Sequence, residues 1–108
     1  MRGSVSALTL AELAAGPHAT SDPVERAKRQ NLLQSIETRL DVVPFDDRAA
    51  RSYALVFVAT AGRGRKPRGP RLLDLLIAST AVAEGLPLYT RNTTDLAGLE
   101  QLLEVHVV

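Results

Sequence analysis

The chain contains no cysteine, which excludes disulfides and thiolate-bound zinc and is compatible with a reducing compartment. It also lacks a large excess of either charge. Thirteen Lys and Arg against twelve Asp and Glu give a formal net charge of +1, so bulk charge does not mark a nucleic-acid partner and the distribution of cations has to carry that argument. Long hydrophobic runs are missing as well: the stretch from Leu72 to Val82 is too short and interrupted to span a bilayer. The N-terminus has no charged-then-apolar signal pattern. The expected location is cytoplasmic, with no membrane association. What is present, 108 residues at 45% hydrophobic, fits one small domain with a single core.

Helix signals dominate the first half. Met1-Arg-Gly-Ser4 leads directly into a helix signal at Ser6 to Leu13, leaving no room for a strand of ordinary length ahead of it. Thr9 and Glu12 have capping-box spacing, and Gly16-Pro17 closes this short helix. Ser21-Asp22-Pro23-Val24-Glu25 opens a second helix running to about Leu40, with Val24, Ala27, Leu32, Leu33, Ile36 and Leu40 as its buried stripe. Glu25, Arg26, Lys28, Arg29 and Glu37 are expected to face water. Asp41 to Phe45 reads as a short strand with Pro44 near its end. Asp46 or Asp47 then caps a third helix carrying Ala49, Ala50, Tyr53, Ala54, Val56, Phe57 and Val58 before Gly62.

The segment from Gly62 to Arg71 holds three Gly, two Pro and five cations and reads as a basic loop. Arg63, Arg65, Lys66, Arg68 and Arg71 are its candidate contacts to an RNA backbone. The competing interpretation is a solvated connector, since no interleaved aromatic favours base stacking. A fourth helix from Leu72 to Val82, apolar almost all round and ending at Gly85, is expected to be largely buried. Leu86 to Thr90 is a compact strand, a helix is capped near Asn92, and a final strand lies in Leu103 to Val108. Helices alternating with short strands predict a parallel sheet covered on both faces, with a binding crevice at the C-terminal strand ends, where Thr90, Asn92 and Asp95 fall.

Glu12, Asp74 and Asp95 are isolated carboxylates beside apolar segments. Setting a bare charge against a core is expensive unless it is paired or holds a metal, so the three point to one acidic pocket suited to Mg²⁺ or Mn²⁺. Phosphodiester hydrolysis needs an activated water and a stabilised leaving oxygen, and a carboxylate-held divalent ion serves both. Each residue also has a structural explanation: a capping box for Glu12 with Thr9 and for Asp95 with Asn92, and an ion pair with Arg71 or Arg91 for Asp74. His18 and His106 have no second histidine or cysteine nearby in sequence to form a metal site. Gly62 and Gly64 do not make a phosphate loop, because no strand precedes them and no Gly-Lys-Ser/Thr follows.

Ser6-Ala-Leu-Thr-Leu-Ala-Glu12, Asp74-Leu-Leu-Ile-Ala-Ser-Thr-Ala81 and Leu88-Tyr-Thr-Arg-Asn-Thr-Thr-Asp95 together resemble the second, third and fourth acidic motifs of PIN-domain ribonucleases, and most closely those of VapC-type toxins. The resemblance implies a three-layer α/β/α domain with a short parallel sheet and a divalent-metal endoribonuclease. It also implies a homodimer neutralised by a small antitoxin. Glu12, Asp74 and Asp95 match the family's metal-binding carboxylates, and Thr90 and Asn92 its polar residues beside the last acid. One departure is that family members begin with an Asp-bearing strand, and nothing upstream of Glu12 matches it. The expectation is therefore a single N-terminally truncated PIN-like domain lacking its usual first strand. The alternative to a working nuclease is a catalytically incomplete remnant that only dimerises or binds an antitoxin; an unrelated phosphatase-like or receiver-like fold lacks a legible nucleophilic Asp at a first-strand end.

Overall fold

The computed structural model describes residues 3–61, 69–90, 96 and 98–107. These fall into two compact units, Met1–Pro44 and Phe45–Val108.

In the first unit, β1 (Ser4–Ser6) leads into α1 (Ala7–Ala15), a short 3-10 helix (Gly16–Ala19), α2 (Pro23–Arg39) and β2 (Asp41–Val43). The expectation that no strand precedes the first helix is corrected: three residues suffice. β1 pairs in parallel with β2, Ser4 against Asp41 and Ser6 against Val43, and the Asp41 amide donating to the Gly3 carbonyl at 3.0 Å extends the ladder. Its residues Ser-Val-Ser carry no carboxylate, so it is not the Asp-bearing strand of the resemblance. A Cβ on Gly3 would stand 2.9 Å from Leu40 Cδ2, so a side chain there would force Leu40 aside.

The first helix is capped by Ser6, whose hydroxyl accepts from the Leu8 amide at 3.1 Å. The Thr9–Glu12 capping box is thereby corrected. Ser6 is extended, at φ −65° and ψ 141°, so the helix begins at once and both Thr9 and Glu12 lie inside it. The second helix starts as its sequence dictates, with the Asp22 carboxylate accepting from the Val24 amide at 3.0 Å, Pro23 in the first turn and Glu25 near the positive helix end. Its apolar stripe does not form one buried face: Leu33 is buried, whereas Val24 is 64% and Leu32 50% exposed.

The second unit holds α3 (Asp47–Ala61), α4 (Pro70–Glu84), β3 (Leu88–Thr90) and β4 (Val105–Val107). Asp46 Oδ1 caps α3 by accepting from the Ala49 amide at 3.0 Å. The last cation of the basic segment, Arg71, is buried in the first turn of α4 rather than displayed on a loop, because Pro70, with φ preset for a helix, opens the helix there. The far end stops at Gly85, in the left-handed region at φ 65°. The Leu86 amide reaches the Ala81 carbonyl at 3.0 Å and the Gly85 amide the Val82 carbonyl at 3.2 Å, the paired bonds of a Schellman stop. β3 and β4 then pair in parallel, Leu88 against Val105 and Thr90 against Val107.

The helices α3 and α4 pack against each other over a core of Val56, Leu75, Ala78, Ala81, Leu96, Leu99 and Leu103, with Tyr53, Leu88 and Val105 against it. Buried hydroxyls are tolerated because each bonds back to its own helix: Thr60 donates to the Val56 carbonyl at 2.9 Å and Ser79 to the Leu75 carbonyl at 2.7 Å. Of the apolar residues that α3 carries, Phe57 and Val58 are 44% and 73% exposed. Short parallel strand pairs joined by helices are the α/β organisation expected from the sequence. Among the described residues, no helix is long and apolar enough to cross a membrane.

Candidate functional site

Glu12 stands in the last turn and a half of α1, exposed to solvent. Because Ser6 caps this helix, the Glu12 carboxylate is not consumed in capping, and that structural explanation falls away. Asp74 lies one turn into α4 and is half-buried. Its place follows from the helical repeat: Leu75, Ala78 and Ser79 face the core, and Asp74 falls at the margin of that arc, one turn before Ala78. Thr90 is the last residue of β3 and half-buried. It shares a sheet face with Leu88, which packs against the core of the second unit.

Asn92 and Asp95 lie outside the described residues, as do Arg63, Arg65, Lys66 and Arg68. Arg71 is described, and at 6% exposure it is placed as a core-lining cation rather than a surface one. Among the described residues, no group of three or more His, Asp or Glu side chains is gathered as a metal site; the three-carboxylate set includes Asp95 and so extends beyond them. A hollow of ≈ 160 Å³, lined by Val82, Leu86, Pro87, Leu103 and Glu104 among others, lies beside the start of β3, at the opposite end from Thr90.

His106 is not a bare surface group. Its ring stacks on Tyr89 with centroids 4.9 Å apart at 18°, and its Nε2 lies 3.1 Å from Glu104. The Asp47 carboxyl has a displaced titration, and the cause is local. The Arg51 side chain, which donates to it at 3.0 Å and adds its positive charge, holds that carboxyl below its ordinary 3.8.

Sequence reasoning missed three contacts. Arg26 and Arg29, expected to face water, bond the carbonyls of the turn after α1: Arg26 reaches Pro17 at 3.1 Å and Thr20 at 2.9 Å, and Arg29 reaches Gly16 at 2.9 Å. Glu25 and Arg29, four residues apart on one helix, form an ion pair at 3.1 Å, but no sequence pattern tells which carbonyl an arginine will reach.

The residues expected from the sequence to hold a metal, Glu12, Asp74 and Asp95 with Thr90 and Asn92 beside them, offer oxygen donors and no sulfur. Such a set suits hard, oxygen-seeking Mg²⁺ or Mn²⁺ rather than a thiolate-bound metal.

Comparison with known proteins gives the same family as the motifs. The PIN domain family model matches residues 2–98. Ribonuclease VapC5 of Mycobacterium tuberculosis (strain ATCC 25618 / H37Rv) is 34% identical over 107 residues, covering 99% of this chain and 76% of the relative. The crystal structure of VapBC-5, a member of the VapBC family of toxin-antitoxin systems from Mycobacterium tuberculosis, superposes with a TM-score of 0.79 at 33% identity, over 97% of this chain and 79% of that one. DNA-bound VapBC from Salmonella typhimurium gives a TM-score of 0.70 at 25% identity, over 94% and 72%. With a family model spanning residues 2–98 and a VapC relative matched over 99% of this chain, the chain belongs to the PIN domain family, in its VapC-type branch.

Proposed function

We propose that this chain is a Mg²⁺- or Mn²⁺-dependent endoribonuclease acting in the cytoplasm as the toxin of a toxin-antitoxin pair. The observation that carries the proposal is the 34% identity to a ribonuclease over 99% of the chain, together with Glu12, Asp74 and Asp95 standing as the three carboxylates of its acidic motifs. In this reading Asp74 and Asp95 hold the ion, Glu12 orients the attacking water or contacts the ion through water, and Thr90 and Asn92 donate hydrogen bonds that aim the acids. A divalent ion held there supplies Lewis-acid polarisation of the phosphoryl oxygens and lowers the pKa of bound water. The cations Arg63, Arg65, Lys66 and Arg68 attract the RNA backbone.

A small antitoxin protein is the proposed partner, by analogy with the VapBC assemblies to which the fold is similar, and a homodimer is the proposed state of the toxin itself. Exposed apolar side chains favour protein partners: Leu55 and Val58, one turn apart on α3, are 55% and 73% exposed.

A second reading is favoured by one observation. Met1 to Ala11 include no Asp or Glu, whereas the resemblance sets an Asp ahead of the second acidic motif; the second reading is a PIN domain that binds an antitoxin without cutting RNA. The experiment that separates the two is cleavage of single-stranded RNA by the purified chain in Mg²⁺ and after chelation. Cleavage abolished by the chelator and restored by Mg²⁺ supports the nuclease; intact RNA in both, with folded protein, supports the binding domain.

A further inference from the structure

We infer that Arg26 and Arg29 are positioning residues for Glu12, holding in place the helix end from which its carboxylate is presented. This rests on the reading above, in which Glu12 belongs to the metal site. The need for such a device is visible in the packing. None of the nine residues of α1 is buried, so its direction is not fixed by a side chain locked in a core, as Leu75 fixes α4.

What fixes the exit of α1 is a set of charged hydrogen bonds. The Gly16 amide closes the helix by donating to the carbonyls of Glu12 and Leu13. The Gly16 carbonyl then accepts from Arg29 Nη1 at 2.9 Å, and Arg29 Nε is tied to the Glu25 carboxylate at 3.1 Å. The Arg29 stem lies over the glycine, its Cδ 3.6 Å from where a Cβ on Gly16 would stand. Arg26 grips the next stretch at two points, the Pro17 carbonyl through Nε and the Thr20 carbonyl through Nη2. Carbonyls at a helix exit lack partners and concentrate negative partial charge, so guanidinium groups there are both bonded and electrostatically favoured.

Each arginine uses the fork of its guanidinium to bridge two acceptors. A lysine, with one compact ammonium on a flexible stem, keeps the charge but not the bridge. Glu12 is one turn before Gly16, so loosening this exit lets the carboxylate wander by the fraction of an ångström that a metal site registers.

The experiment compares Arg26→Lys and Arg29→Lys with the parent in Mn²⁺ binding by calorimetry, amide hydrogen exchange across 12–16, and thermal melting. Glu12→Gln and Arg51→Lys serve as controls, the latter in an exposed ion pair with Asp47 on another helix. The expected result is Mn²⁺ affinity lowered roughly tenfold or more in each arginine variant. Exchange at the α1 exit should be faster, melting close to the parent and Arg51→Lys unchanged in affinity. Parental Mn²⁺ affinity in both arginine variants, with Glu12→Gln weakened, would overturn the positioning role alone. Parental affinity in Glu12→Gln would overturn the assignment of Glu12 to the metal site, and this inference with it.

Discussion

The side chains that matter most for local structure are those that answer an unpaired backbone group. At the start of α1 the sequence reading assigned that role to Thr9, and the structure gives it to Ser6. Ser6→Ala is therefore expected to lower unfolding stability by about 1 kcal/mol, as lost N-caps do, whereas Thr9→Ala stays within about 0.5 kcal/mol; urea denaturation distinguishes the two. Asp47 makes a different prediction. Its carboxyl titrates below 3.8 chiefly because Arg51 donates to it, with the Arg51 charge as the second cause. A carboxyl whose folded pKa is depressed contributes stability above its unfolded pKa and loses it as the pH falls through the folded value. The urea midpoints of the parent and Asp47→Asn should therefore differ at neutral pH and converge as the solution is acidified well below 3.8. The difference will be small, because both partners are solvent-exposed.

Among the elements, α4 is the one on which the second unit depends. Leu75 is fully buried at the centre of its core, so Leu75→Ala should destabilise by about 2–5 kcal/mol. Gly85→Ala should cost about 1–2 kcal/mol, because a Cβ is forced into the left-handed region; thermal or urea unfolding measures both. The bounds of α2 and the end of α4 were legible in the sequence, since Asp22-Pro23 and Gly85 are local signals acting through local chemistry. Three things were not. β1 is too short for periodicity to show, and it forms only because Asp41–Val43 lies alongside it. Burial along α2 failed because an amphipathic stripe states that a face wants a partner without saying which chain supplies it, and Val24 and Leu32 remain exposed. Arg71 was assigned to the loop by its basic neighbours, yet its burial is decided by the packing of a helix that starts one residue earlier. At the candidate site, the sequence placed Glu12 and Asp74 on helices and Thr90 at the end of a strand, and the structure does the same. The arginine bonds behind Glu12 are long-range and had no sequence signature.

For the molecule as a whole, a net charge of +1 gives little general attraction to RNA, so binding should depend on where the cations lie. Replacing Arg63, Arg65, Lys66 and Arg68 by alanine is expected to weaken RNA binding and flatten its dependence on salt, with the log–log slope falling by about 0.7 for each phosphate that is no longer neutralised. An unchanged slope in filter binding or fluorescence titration would assign those residues to another role. The central claim, however, is that the acidic motifs do chemistry. Asp74 tests it best, because it is half-buried on a well-packed helix and Asn preserves its shape while removing its charge. The measurement is Mg²⁺-dependent cleavage of a mixed RNA by the parent and by Asp74→Asn, purified in parallel. The account predicts cleavage by the parent that falls by roughly a hundredfold or more in the variant, within the range for removing an electrostatic catalytic group. Equal cleavage by both proteins would contradict it and remove Asp74 from the mechanism.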